Sequence, residues 1–228
     1  QLNRLPQLPA EENGALMYAK DAFVRESHRH FSHALAIYPL RQISGKTPQE
    51  KACIDRTIAQ QESLGTSRWV GFSFVWFALL KIVQRDAEGA VQALHQFYHA
   101  FLSPNGFHLN GDFRKTGLSE FQYRPFTLEA NCLSVQAVNE MLLYSQNGEI
   151  EIFPVIPADW RTCAFRGLRA ENGLIVSAEL TATGCVTLRL HAKRAGSWYL
   201  KNTNQTLRLE KGERRICRWT IKPDIQDP

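Results

Sequence analysis

The feature that most constrains the fold is a change of hydrophobic period near Asn147-Gly148. Before this pair, apolar residues recur at the spacing of amphipathic helices, and after it they alternate with polar residues as in β-strands. A chain of 228 residues is long enough for one large domain or two small ones. We therefore expect an α+β multidomain chain, with a helical domain over residues 1–147 and a β domain over residues 148–228.

Four segments of the first half follow the helical pattern: 50–64, 71–84, 86–102 and 128–145. The second of them, GFSFVWFALLKIVQ, is apolar on nearly all sides, which indicates a helix buried among neighbours. Thr47-Pro48 is typical of a cap and first turn, and Asp86 is a typical N-cap for the third helix. Residues 103–126 form a long connection with two Asn-Gly pairs, which favour tight hairpin turns. Its aromatic residues favour an ordered loop.

Six short runs of the second half alternate with period two: EIEIFPVIP, LIVSAEL, CVTLRLHA, SWYLKN, QTLRLEK and RICRWTIK. Turn signals at Asn172-Gly173, Thr183-Gly184 and Lys211-Gly212 separate several of these runs. This pattern is typical of an antiparallel sheet or sandwich.

Composition argues against several classes of protein. No apolar run approaches the ~18 residues of a membrane span. The net charge is +5, but the basic residues are dispersed, so we expect no nucleic-acid partner. The five cysteines lie far apart without a C-x-x-C pair, which makes a zinc ribbon unlikely to form, and we expect mostly buried thiols.

Residues 26–40, ESHRHFSHALAIYPL, place His28, Arg29, His30 and His33 directly before an apolar run. Three interpretations are open: a metal site, histidines that bond loop carbonyls, and a sugar-contact site. A zinc site needs three or four ligands, and no second cluster at metal spacing is present, so we expect no metal. Arg29 offers a fork of donors, and His30 can donate to one hydroxyl and accept from another.

Three stretches together are similar to glycoside hydrolase family 95: HRHFSHALAIYPL, GFSFVWFALL and RPFTLEANCLSVQAVNEMLLYSQNGEIEIFPVIPADW. The resemblance covers roughly residues 25–170, and the family includes 1,2-α-L-fucosidases and α-L-galactosidases. It implies part of an (α/α)6 helical barrel followed by a C-terminal antiparallel β-sandwich domain. It also implies inverting hydrolysis without a cofactor, in which one carboxylic acid protonates the leaving oxygen and a base activates water.

The resemblance also assigns roles to residues. Arg29 and His30 fall on the pair that contacts the sugar, and Asn131 falls on an asparagine of the third motif. Glu129 takes the place of the family's aspartate that acts in water activation. The extra methylene moves the carboxylate by ~1.5 Å, and a misplacement of that order can cost ~100-fold in rate. Without the resemblance, Glu129 reads as a first-turn acid favoured by the helix dipole.

Three further residues are candidates for substrate binding. His108 and Arg124 lie on the long loop, as rim contacts or as plain surface. Trp76 is either a platform on which a sugar stacks or a core residue of its apolar helix.

The family's general acid and two asparagines precede the first motif, and residues 1–25 are too short to hold them. The chain also begins with Gln1. We therefore expect a C-terminal piece, inactive alone, whose barrel is completed by an upstream part of the same protein. A carbohydrate is the expected partner, in the periplasm or outside the cell. The alternative is a non-catalytic carbohydrate-binding relative of the same fold.

Overall fold

The computed structural model describes residues 8–221. The chain divides into two compact units, residues 1–137 and residues 138–228. Four α-helices are described: α1 (Pro48–Ser63), α2 (Gly71–Gln84), α3 (Ala87–Phe101) and α4 (Glu129–Leu142). Two four-stranded, mainly antiparallel sheets follow, which makes the chain an α+β protein with a C-terminal β domain.

The predicted starts of α1 and α3 are confirmed by their caps. The Glu50 amide donates to Thr47 Oγ1 over 3.1 Å, and Pro48 occupies the first turn. The Gly89 amide donates to Asp86 Oδ1 over 2.8 Å. Helix α2 packs between α1 and α3, and its residues from Ser73 to Val83 are all buried, as its apolar sequence predicts.

Helix α4 ends three residues earlier than the sequence pattern predicts. Residues 143–146 instead form strand β1 (Leu143–Gln146), which pairs with β2 (Glu149–Ile152). Asn147 and Gly148 join the two strands with φ values of 54° and 77°. Two successive positive φ angles are characteristic of the type I′ turn, whose twist matches that of a hairpin. Because this turn starts a hairpin, the residues before it, Leu143–Gln146, form a strand instead of continuing the helix.

Each sheet of the β unit has four strands. The first has the order β1-β2-β6-β7, in which β6 is Gly196–Leu200 and β7 is Gln205–Leu209. The second has the order β3-β4-β5-β8, with β3 at Cys163–Ala170, β4 at Leu174–Leu180, β5 at Cys185–Ala192 and β8 at Arg214–Thr220. Every pairing is antiparallel except that of β2 with β6.

Inward side chains of both sheets form one hydrophobic core. Trp198 on β6 is fully buried in it, and its indole Nε1 donates to the Glu171 carbonyl over 3.1 Å. A buried indole normally finds such a partner. Strand β8 is an edge strand and contributes only half-buried side chains, with Arg214, Ile216 and Arg218 on its exposed face.

All five cysteines are free thiols. Cys132 is exposed and the other four are half-buried, so the prediction of mostly buried thiols is wrong. Burial raises the pKa of Cys53, Cys163 and Cys217, which keeps these thiols protonated at neutral pH. Between residues 8 and 221, the structure contains no helix long and apolar enough to cross a membrane.

Candidate functional site

The N-terminus of α2 is the point at which two separate segments meet. Ser73 Oγ donates to the carbonyl of Arg29 over 2.7 Å. The Gly71 amide donates to the carbonyl of Asn110, on the long loop, over 3.2 Å. The first turn of one buried helix therefore holds the histidine-rich segment and the long loop together.

The histidine-rich segment has a fixed backbone and exposed side chains. Ser27 Oγ donates to the Gly65 carbonyl over 2.9 Å, and the fully buried Phe31 ring packs against Trp69 at a centroid distance of 5.1 Å. Between these two attachments, His28, Arg29 and His30 are all exposed. Their side chains are therefore available to a ligand.

The electrostatics of this segment keep His30 neutral. Its pKa is lowered, first by partial burial and then by the charges of Arg29 and His28. The His30 amide also donates to His28 Nδ1 over 3.1 Å. A neutral imidazole has one donor and one acceptor, which suits contact with a hydroxyl group.

His108 lies beneath the long loop and is fully buried. Its Nδ1 is 2.7 Å from Thr127 Oγ1, and its Nε2 faces Gly71, where any Cβ would collide with it. Within residues 8–221, Nε2 has no hydrogen-bond partner. Burial lowers the His108 pKa to about 4, although the nearby charge of Glu129 acts in the opposite direction. His108 is therefore a neutral residue that connects α2 to the start of α4.

Asn131 fastens the loop to α4. Its Oδ1 accepts from the His108 amide over 2.9 Å, and its Nδ2 donates to the Gly106 carbonyl over 2.8 Å. The structure thus shows His108 and Asn131 holding the loop against α4, and their predicted contact with a sugar stays a prediction.

The long loop is ordered, as its aromatic residues predict. Asp112 is fully buried, and its carboxylate accepts from the amides of Thr116, Gly117 and Leu118 and from the Thr116 hydroxyl, at 2.9–3.2 Å. Burial alone would raise the Asp112 pKa, but these hydrogen bonds outweigh it and the pKa is lowered. One acidic side chain therefore organises the loop tip.

The two Asn-Gly pairs of the loop differ in role. Gly106 has a φ of +79° and its amide closes a turn onto the Ser103 carbonyl over 2.8 Å. Gly111 forms no such turn: a Cβ there would lie 2.6 Å from the Tyr123 carbonyl oxygen. The predicted second hairpin turn is wrong, and Gly111 is instead a point of close backbone approach.

Glu129 is the first residue of α4 and is exposed. Its charge acts on the pKa of His108 in the direction that favours the protonated imidazole. A carboxylate at a helix N-terminus is stabilised by the helix dipole. Arg124 is also exposed, with its guanidinium 5.6 Å from the Phe113 ring centroid.

Trp76 does not belong to this surface. It is 8% exposed, its Nε1 donates to the Tyr38 carbonyl over 3.2 Å, and its ring lies 5.4 Å from that of Phe31. Of the two interpretations of Trp76, these contacts favour the core residue expected in a helix that is apolar nearly all round, and the stacking platform stays a prediction.

Sequence reasoning missed the residues that hold the site together. Ser73 carries the only hydroxyl of α2, and a lone hydroxyl in an apolar helix is a signal that a partner exists. Thr127 and Asp112 gave no comparable signal, because their partners are fixed only by the path of the loop. Over the described range 8–221, no group of three or more His, Cys, Asp or Glu side chains is placed to hold a metal.

The arrangement is that of an α+β chain with an exposed carboxylate, an arginine and a neutral imidazole carried by segments that meet at one helix. Residues 1–142 match the glycosyl hydrolase family 95 catalytic domain, and residues 144–225 match the glycoside hydrolase family 95 C-terminal domain. The chain therefore belongs to glycoside hydrolase family 95, which confirms the resemblance seen in its motifs. The two matches meet where α4 passes into β1.

Among individual proteins, the chain is similar to Alpha-L-fucosidase 2 of Arabidopsis thaliana. The two are 27% identical over 178 residues, a match that covers 76% of this chain and 20% of the relative. The chain thus spans about a fifth of the length of that relative.

Proposed function

We propose that the protein carrying this chain is a glycoside hydrolase that removes α-L-fucose or α-L-galactose from oligo- or polysaccharides. The observation that supports this most is the placement of Glu129. Thr127, two residues before it, bonds His108, and His108 packs on Gly71 at the same helix N-terminus that holds the backbone of Arg29. The two polar positions implied by the family are thus linked through one set of buried contacts.

In the proposed mechanism, Glu129 is the base that activates water. Arg29 and His30 hold hydroxyl groups of the sugar, and Arg124 contributes at the rim. An inverting reaction also needs a carboxylic acid on the opposite face of the sugar, ~6.5–9.5 Å from the base. We propose that this acid comes from another part of the protein.

We further propose that the helices belong to an (α/α)6 barrel and that the two sheets form a β-sandwich domain. Exposed apolar side chains support a missing neighbour for α4. Leu128, just before the helix, and Val135, two turns later, are 57% and 61% exposed, and Phe126 beside them is 53% exposed. Three large apolar side chains exposed within ten residues favour a surface that packs against another segment. An upstream part of the same protein is the proposed partner.

The family resemblance alone supports a location in the periplasm or outside the cell. Fractionation of cells that produce the protein, with detection of this chain in each fraction, tests that proposal. Recovery of all the protein in the cytoplasmic fraction contradicts it.

Glu129→Gln tests the role of the proposed base. The protein encoded by the whole gene is assayed on aryl α-L-fucosides and aryl α-L-galactosides. Loss of the base lowers kcat by ~100-fold or more and leaves KM nearly unchanged. Glu129→Asp, which restores the family's usual residue but shortens the reach, lowers kcat by a similar ~100-fold if this site is built around the longer side chain.

The matched control is Glu120→Gln, which neutralises another exposed glutamate of the same region and leaves kcat unchanged. NMR of the first product formed gives the stereochemistry, and inversion is the expected result. Unchanged turnover of Glu129→Gln across the active pH range removes Glu129 as the base. Glycan binding without any hydrolysis by the unmutated protein favours the non-catalytic relative instead.

A further inference from the structure

A second binding feature lies beside His30. Seven residues line a cleft of about 550 Å³: Tyr18, Phe23, Arg25, Glu26, His28, His30 and Ser32. We call it the Tyr18 cleft. Its volume falls within the range of ~300–1,000 Å³ typical of small-molecule sites. His28, His30 and Ser32 belong to the motif HRHFSHALAIYPL, and the other four residues of the cleft have no assigned role.

Two large aromatic side chains remain exposed in this cleft. Tyr18 is 41% exposed and Phe23 is 45% exposed. Tyr18 is held by an edge-on contact with the buried His33 ring at 5.1 Å. The guanidinium of Arg25 lies 4.4 Å from the Phe23 ring centroid. Both rings therefore offer exposed apolar surface to a ligand.

The polar groups of the cleft balance in charge. Arg25 pairs with Glu11 at 3.4 Å, and Glu26 supplies a carboxylate to the cleft itself. Burial and the charge of Glu26 raise the pKa of Tyr18, so its hydroxyl stays a donor. Ser32 adds a second hydroxyl, and His30 is neutral. The cleft therefore offers donors and acceptors without a strong excess of either charge.

We propose that the Tyr18 cleft binds a second sugar ring of a neutral glycan, the unit to which the cleaved sugar is attached. The inference rests on the proposed function, because it places the cleaved sugar at Arg29 and His30. A pyranose ring presents C–H groups that pack on aromatic surfaces and hydroxyls that need both donors and acceptors. The cleft carries one guanidinium, Arg25, and one carboxylate, Glu26, so it has no excess charge that would attract an acidic or a cationic ring.

The test compares variants of the full-length protein in glycan binding. Glu129→Gln serves as the background, and the oligosaccharides are thio-linked so that they resist hydrolysis whatever the role of Glu129. An array of neutral and acidic oligosaccharides identifies the preferred ligand, and titration calorimetry then gives Kd for that ligand and for the methyl glycoside of its terminal sugar. Tyr18→Ala and Phe23→Ala each weaken oligosaccharide binding by about tenfold relative to the methyl glycoside.

Tyr98→Ala is the matched control, because Tyr98 on α3 is 39% exposed and lies outside the cleft. In Tyr98→Ala, the ratio of the oligosaccharide Kd to the methyl glycoside Kd stays equal to that of the background protein. Tyr18→Phe keeps the ring and loses less affinity than Tyr18→Ala, which guards against a misfolded alanine variant. Circular dichroism confirms that each variant is folded.

Three results overturn the inference: full oligosaccharide affinity in both alanine variants, a preference for acidic glycans, or no binding of any neutral oligosaccharide. The outcome is separate from that of the hydrolysis assay. If Glu129→Gln hydrolyses normally while the alanine variants lose glycan binding, the proposed mechanism fails and the cleft stands as a glycan site. If Glu129→Gln is inactive while the alanine variants bind normally, only the cleft fails.

Discussion

Replacing Asp112 by asparagine tests how the long loop is held. The carboxylate accepts one amide hydrogen bond at Oδ1, from Thr116, and three hydrogen bonds at Oδ2. Asparagine is nearly the same size, so it creates no cavity. Its amide oxygen can replace Oδ2, but its NH₂ group then faces the Thr116 amide, and both are donors.

The size of the effect follows from these bonds. A hydrogen bond to a charged group contributes about 1.5–3 kcal/mol, and the Thr116 amide loses its acceptor. The three remaining bonds weaken because the acceptor is no longer charged. We therefore expect a loss of about 2–3 kcal/mol in the local stability of the loop, equal to roughly a 30- to 150-fold fall in protection.

Amide hydrogen exchange measures this loss at the relevant positions. The amides of Thr116, Gly117 and Leu118 lose their protection in Asp112→Asn, while those of α3 keep theirs. Glu120→Gln, an exposed acid of the same loop, is the control and leaves exchange unchanged. If Asp112→Asn exchanges no faster than the control, the carboxylate does not organise the loop and the reasoning is refuted.

Three further predictions concern stability. Thr47→Ala removes the acceptor of the Glu50 amide and lowers the free energy of unfolding by about 1 kcal/mol in urea titration, whereas Thr47→Ser lowers it much less. Gly71→Ala forces a Cβ against His108 and lowers the free energy of unfolding by about 1–3 kcal/mol, although alanine is the better helix former. A variant as stable as the unmutated protein, or more stable, contradicts the packing described. The buried, neutral His108 has a folded pKa of about 4, below its unfolded value near 6.5. The free energy of unfolding therefore carries no penalty from His108 above pH 6.5 and falls by about 3 kcal/mol as the pH drops to 4. Urea titrations at several pH values measure this slope, and His108→Gln reduces it.

The helices and most strands could be predicted because their signals are local. Caps at Thr47 and Asp86 and strict alternation in β4 and β5 depend on a few neighbouring residues. Strand β3 was missed because its register shifts between Phe165 and Leu168, around Gly167 with a φ of 72°. A bulge breaks the period of two on which the strand prediction depends.

The candidate site was predictable only in part. Family motifs assigned roles to Arg29 and Glu129, but the partners that hold them are set by tertiary contacts. His108 is buried because it contacts Gly71 and Thr127, which lie 37 and 19 positions away in sequence. The hydrogen bonds of the Asn131 side chain likewise go to Gly106 and His108, which lie more than 20 positions away in sequence. Local patterns carry no information on such pairings.

The edge strand β8 bears on how the protein behaves at high concentration. An unpaired strand edge is a template for intermolecular association, and the exposed Ile216 makes this edge more prone to it. Arg214 and Arg218 flank that residue on the same exposed face. A second copy pairing antiparallel through β8 would bring these charges together, and arginine stays protonated at any physiological pH. The edge is thus protected against fibril growth by charge, and that protection weakens as salt screens it.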